Sequence, residues 1–127
     1  MSVTVLDTAA LIALDRNDRR MWSLLAQFAK NEYDILVPST VVAQCWRGLA
    51  RQANLARALA QCDIVPFDPV AKEVGHLCGL AQTSDVVDAH VALVAATHGA
   101  NFLYTGDPDD LSLLLAKCGA RVELISC

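Results

Sequence analysis

Val3-Thr4-Val5-Leu6-Asp7-Thr8-Ala9-Ala10-Leu11-Ile12-Ala13-Leu14 decides the fold. Its first four residues form a short β-branched, apolar run of the kind that makes a buried strand. Small residues and helix formers follow Asp7 at once, so the chain turns from strand to helix across a carboxylate. In open parallel sheets, ligands bind outside the carboxyl ends of the strands, where strand order reverses. Asp7 therefore stands where an α/β protein builds a site. Asp and Thr are also preferred helix N-caps, and on this stretch alone capping is the commoner outcome.

Working outward, the pattern keeps alternating. Arg19 to about Lys30 is amphipathic, with Trp22, Leu25 and Phe28/Ala29 on one face, and Asp34–Pro38 reads as a second strand. Ser39 or Thr40 caps a helix expected to run through Ala50, with Gly48 a weak point. A further helix spans about Ala53 to Gln61, and a third strand Asp63–Phe67. Helices over Pro69–Ala81 and Asp85–His98 precede a fourth strand at Asn101–Thr105. A helix over Pro108–Lys117 and a last strand at Arg121–Ile125 close the chain. Strands alternating with helices imply crossover connections and a parallel sheet covered on both faces, a three-layer α/β domain. At 127 residues the expectation is a single domain, residues 1–127.

Composition narrows the function. Ten basic residues against fourteen acidic ones give a net charge of −4, which argues against non-specific nucleic-acid binding by bulk charge. A nucleic-acid enzyme with a local basic patch and an acidic metal site stays open. The five cysteines are widely spaced with no Cys-x-x-Cys pair, which argues against a zinc site and for reduced thiols. With no membrane-spanning stretch and no signal peptide, a cytoplasmic protein is expected. Hydrophobic residues reach 54%, many of them alanine, so apolar surface is expected to be left over for a partner.

Acids gather at two further places. Asp85 and Asp88 lie three residues apart at a helix start, so both carboxylates can share one face, although a cap at Asp85 explains part of the pattern. Thr105-Gly106-Asp107-Pro108-Asp109-Asp110 follows the fourth strand. Asp107 before Pro108 is an N-cap signature, yet three acids in four residues exceed what a cap requires. Gly106 would let backbone approach a ligand closely. If strands one and four are neighbours, these carboxylates converge, and a hard divalent cation with oxygen ligands would relieve their repulsion. Gln44, Arg47 and Arg51 fall at helical spacing on one stripe, and Arg47, Arg51 and Arg16 are candidates for phosphate contact. Arg19 and Arg20 extend that candidate track. A solvated basic face is the commoner outcome for such arginines. His90 points away from Asp88, and no histidine has a nucleophile partner.

These motifs together resemble PIN-domain proteins, with the nearest likeness to VapC-type ribonuclease toxins. The residues that carry it are Leu6–Ile12, Val37-Pro38 with the helix bearing Gln44-Cys45-Trp46-Arg47-Gly48, Asp85–His90 and Thr105–Leu111. The resemblance implies an α/β/α sandwich with a five-stranded parallel sheet in order 3-2-1-4-5. It implies Mg²⁺- or Mn²⁺-dependent endoribonuclease activity on RNA, a homodimer and a VapB-like antitoxin. By position, Asp7, Asp88 and Asp107 match the family's catalytic and metal-binding acids, with Asp85, Asp110 and Thr105 auxiliary. Gln44 replaces the family's usual glutamate. An amide carbonyl can ligate a hard cation but brings no charge and cannot act as a base. A catalytically weak or inactive PIN-fold protein that binds antitoxin or RNA is therefore the alternative. A phosphotransferase using Asp7 as nucleophile is disfavoured, because no second acid follows two residues on.

Overall fold

In the computed structural model, which describes residues 2–127, the central strand β1 spans Val3–Leu6 and leads through Asp7 into α1, Thr8–Asp15. α2 (Arg19–Lys30) and β2 (Asp34–Pro38) follow, then α3 (Ser39–Cys45), a 3-10 turn at Ala50–Gln52 and α4 (Ala53–Leu59). β3 (Asp63–Val65), a 3-10 turn at Asp68–Val70, α5 (Ala71–Ala81) and α6 (Val86–Thr97) lead to β4 (Phe102–Thr105). The chain continues into α7 (Pro108–Lys117) and β5 (Glu123–Ser126).

All five strands run parallel, in the order β3-β2-β1-β4-β5. Val5 stands opposite Leu36 on one side and Leu103 on the other. Thr4, Val5 and Leu6 are buried in succession, which requires cover on both faces of the sheet, and helices supply it. The result is a three-layer α/β/α sandwich. The chain moves outward from β1 to β3, then returns to the other side of β1 to place β4 and β5. Strand order therefore reverses between β1 and β4, and Asp7 and Asp107 both follow strands at that switch point.

α2 is held by Met21, Leu25 and Phe28, so its buried face begins one residue before Trp22. The half-buried Trp22 donates its indole N–H to the Leu14 carbonyl at 3.1 Å, with the Arg57 guanidinium 5.0 Å from its ring centroid. Phe28 stacks on Tyr33 at 5.4 Å and meets Tyr104 edge-on at 5.6 Å, closing the sheet beneath α2. α6 is buried on most sides by Ala89, His90, Val91, Ala92, Val94 and Ala95, whose small side chains let neighbouring elements approach closely.

The expected helix through Ala50 stops at Cys45 instead. Trp46 is extended, Gly48 takes a left-handed φ of 69°, and the buried Gln52 side chain replaces the lost helical bonds. Its amide accepts from the Arg47 N–H at 2.8 Å and donates to the Cys45 carbonyl at 2.9 Å. Smaller shifts have local causes. β3 ends at Val65 because Pro66 cannot donate to a ladder, and α4 ends at Leu59. The last strand begins at Glu123, two residues later than its composition suggests.

Candidate active site

The N-termini of α1, α6 and α7 all begin with an aspartate at the N-cap: Asp7, Asp85 and Asp107. Asp7 is buried. Its Oδ1 accepts from the Thr8 N–H at 2.7 Å, and its Oδ2 accepts from the Thr105 hydroxyl at 2.8 Å. The buried Thr105 oxygen also accepts from the Asp107 N–H at 3.0 Å. One hydroxyl at the end of β4 thus joins the carboxylate after β1 to the backbone after β4, using both its donor and its acceptor capacity.

Asp107 occupies the N-cap of α7, but its side chain makes no capping bond and its carboxyl group meets Asp110 instead. Asp85 does cap, accepting from the Asp88 N–H at 3.0 Å. Asp88 and Asp110 are each third in their helices, three residues after Asp85 and Asp107 respectively. Carboxylate oxygens of Asp88, Asp107 and Asp110 come within 4.8 Å of one another. Asp110 therefore belongs to the tightest group of acids, a place its first-turn position did not signal.

The electrostatics bear the marks of crowding. Burial, then the charges of Asp85 and Asp7, a hydrogen bond with Asp85 and the charge of Asp107 push Asp88 up to about 7. Asp107 is also raised, first by the Asp110 charge, then by burial, a hydrogen bond with Asp110 and the charges of Asp7 and Asp109. Asp7 thus acts on both neighbours. A small cavity of about 120 Å³ opens beside the group, lined in part by Thr83, Asp85, Asp88 and Asp110. Three helix N-termini aim their positive ends at this region and offset part of its charge.

Gln44 lies at the last turn of α3 and is tied to the site at one remove, its Oε1 accepting from the Thr8 hydroxyl at 2.6 Å. Because α3 ends at Cys45, the expected stripe of Gln44, Arg47 and Arg51 on one helix does not exist. Arg47 instead donates to the carbonyls of Ala43 and Trp46 at 3.3 and 2.9 Å, Arg51 lies exposed in the 3-10 turn, and Arg16 is exposed at the end of α1. Gly106 is small for a different reason from the one expected. A Cβ there would lie 2.9 Å from the Ala9 Cβ, so the close approach is to α1 rather than to a ligand. His90 is fully buried, with its Nδ1 2.8 Å from the Thr40 hydroxyl, away from the acids as its spacing implied.

Two contacts carried little signal in the sequence. Thr8 links Asp7 to Gln44, and its adjacency to Asp7 was the available hint. Cys127 donates its N–H to the Thr105 carbonyl at 3.1 Å, and its thiol is raised to about 11 by burial and by the Asp7 charge.

The PIN domain model matches residues 4–113. No curated protein matches the sequence. Among solved structures, the crystal structure of VapBC2 from Rickettsia felis bound to a DNA fragment from its promoter is similar. It is 18% identical, with a TM-score of 0.71 and 98% of each chain covered. That likeness shows a shared fold. With the family model spanning most of its length, the chain belongs to the PIN domain family.

Proposed function

We propose that this protein is a divalent-metal-dependent endoribonuclease and the toxin of a type II toxin–antitoxin pair. The observation that carries the reading is the close group of Asp88, Asp107 and Asp110 where strand order reverses, with Asp7 outside that group but near enough for its charge to act on Asp88 and Asp107. Family membership and the fold shared with a VapBC complex support it.

The donor set fits a hard cation. All its groups are carboxylates, Asp88, Asp107 and Asp110 present oxygens within 4.8 Å of one another, and Asp88 is pushed up to about 7 by burial and then by its acidic neighbours. Asp88 and Asp107 would hold Mg²⁺ or Mn²⁺ with Asp7 beside them, and Asp110 would complete the set. Such an ion, when bound, polarises a phosphodiester and lowers the pKa of a water. The chain's own residues supply the geometry. Thr105 fixes one oxygen of Asp7, the Thr8 N–H fixes the other, and Asp85 holds the first turn of α6 so that Asp88 faces inward. In the hydrolysis, a water oxygen bonds to phosphorus, the bond to the departing ribose oxygen breaks, and that oxygen takes a proton. Arg16, Arg47 and Arg51 are the candidates to meet RNA phosphates on the approach.

Partners follow the same reading. A groove of about 660 Å³ between α2 and the β4–β5 side of the sheet is lined by Leu24, Met21, Tyr104 and Ile125, with Arg19 and Arg20 among its polar residues. It suits an apolar helix of a VapB-like antitoxin. Exposed Leu80, Val86 and Leu113 supply apolar surface for a homodimer. No helix of the described residues is long and apolar enough to cross a membrane.

Gln44 favours one second reading, a PIN-fold protein that binds antitoxin or RNA without cleaving. Incubating purified protein with RNA in Mn²⁺ or EDTA, beside an Asp7→Asn control, separates the two. Cleavage that needs both metal and Asp7 supports the nuclease, and intact RNA in every lane supports the binder.

A further inference from the structure

Thr40 and Gln44 lie four residues apart on α3 and so share one face of that helix. Each makes a side-chain hydrogen bond to a different element of the site. Gln44 accepts from Thr8 at 2.6 Å, next to Asp7, and Thr40 meets His90 at 2.8 Å, two residues from Asp88. α3 thus spans the two helices that carry the first two acids.

The His90 bond matters because of what surrounds it. The neighbouring buried positions of α6, Ala89, Val91, Ala92, Val94 and Ala95, are small and apolar. Such contacts drive burial but are non-directional, so they define the rotation of α6 about its axis only loosely. A buried hydrogen bond is directional, and buried polar contacts of this kind specify register. His90 stands roughly opposite Asp88 around the helix, because two residues turn it about 200°. Anchoring the back of α6 therefore aims Asp88 at the front. The far end of the anchor is itself held. The Ser39 hydroxyl accepts from the Phe67 N–H at 3.0 Å, and the Phe67 ring meets His90 edge-on at 5.2 Å.

We propose that Thr40 and His90 are positioning residues that, through α3 and the Gln44–Thr8 bond, set Asp88 against Asp7 for cation binding. The proposal rests on the metal-dependent reading above. It predicts that Thr40→Val, which removes the hydroxyl at nearly constant volume, weakens Mn²⁺ binding by roughly 10-fold, as loss of a supporting contact around a metal site does. Thr40→Ser, which keeps the hydroxyl, should retain wild-type affinity. Val74→Ala, on the buried face of α5, should lower thermal stability without changing affinity. Mn²⁺ titration followed by electron paramagnetic resonance, with melting curves in EDTA, measures both quantities for each protein. If Thr40→Val fails to fold, the Thr40→Val/His90→Leu pair removes the buried polar contact without leaving an unpaired partner, and the same loss of affinity is expected. Wild-type affinity in Thr40→Val or in the Thr40→Val/His90→Leu pair, a loss in Thr40→Ser as large as in Thr40→Val, or an equal loss in Val74→Ala overturns the proposal. Wild-type protein that binds Mn²⁺ but leaves RNA intact contradicts the nuclease reading alone. Wild-type protein that binds no Mn²⁺ overturns both.

Discussion

Replacing Asp88 by asparagine removes a carboxyl group that sits among Asp85, Asp7 and Asp107, while keeping a side chain able to donate a hydrogen bond to Asp85. In the folded protein Asp88 is pushed up from its ordinary 3.8 to about 7, mainly by burial and then by those neighbours. The folded value lies above the unfolded one, so the fold binds this proton more tightly than the open chain does. Asp88 therefore contributes most stability below its ordinary value, and that contribution is lost as pH rises through 7. The interval corresponds to about 4 kcal/mol without screening. The group is only partly buried, and solvent screening brings the effect to roughly 1–2 kcal/mol. Without metal at pH 8, Asp88→Asn should accordingly melt above wild type by roughly 3–8 °C. The gap should narrow as pH falls and vanish near pH 4. Adding Mn²⁺ at pH 8 should reverse the order, because wild type has the better ligand set. Thermal melts in EDTA and in Mn²⁺ across this range measure both effects. A variant no more stable than wild type at pH 8 in EDTA would refute the reasoning, since it would mean that Asp88 is not under charge strain.

Other substitutions probe the frame around the acids. Gln44→Glu should tighten metal binding and speed RNA cleavage, because a charge is restored beside Thr8; metal titration and cleavage assays in parallel test it, and no change in either makes position 44 structural. Gly106→Ala should cost about 1–3 kcal/mol in denaturant melts, since its Cβ would lie 2.9 Å from the Ala9 Cβ. Gln52→Ala should cost about 1–3 kcal/mol by the same assay, because the Arg47 N–H and the Cys45 carbonyl lose their partner. A stability unchanged from wild type would show that water takes its place.

Much of the architecture was legible because local pattern and global position agree. The run Val3–Leu6 is apolar without alternation, as a strand covered on both faces must be, and Asp7 sits at the one place where that strand can present a carboxylate. The order of the strands was a different matter. Nothing in the run Phe102–Thr105 says that it pairs with β1 rather than with β3, and that assignment rested on family resemblance. The end of α3 was hidden because its cause lies seven residues on. Residues 46–50 could have continued the helix by propensity, but the buried Gln52 amide takes over the backbone bonds at Cys45 and Arg47. Asp110 was underestimated for a similar reason. An acid in the first turn of a helix is ordinary, and only the packing of α6 against α7 brings it to Asp88.

The most direct test of the central claim is cleavage of RNA by the purified wild-type chain in Mn²⁺, in EDTA, and by Asp7→Asn in Mn²⁺. A metal-dependent nuclease built on Asp7 cleaves slowly in the first reaction and not at all in the other two. Cleavage that persists in EDTA or in Asp7→Asn would contradict that claim.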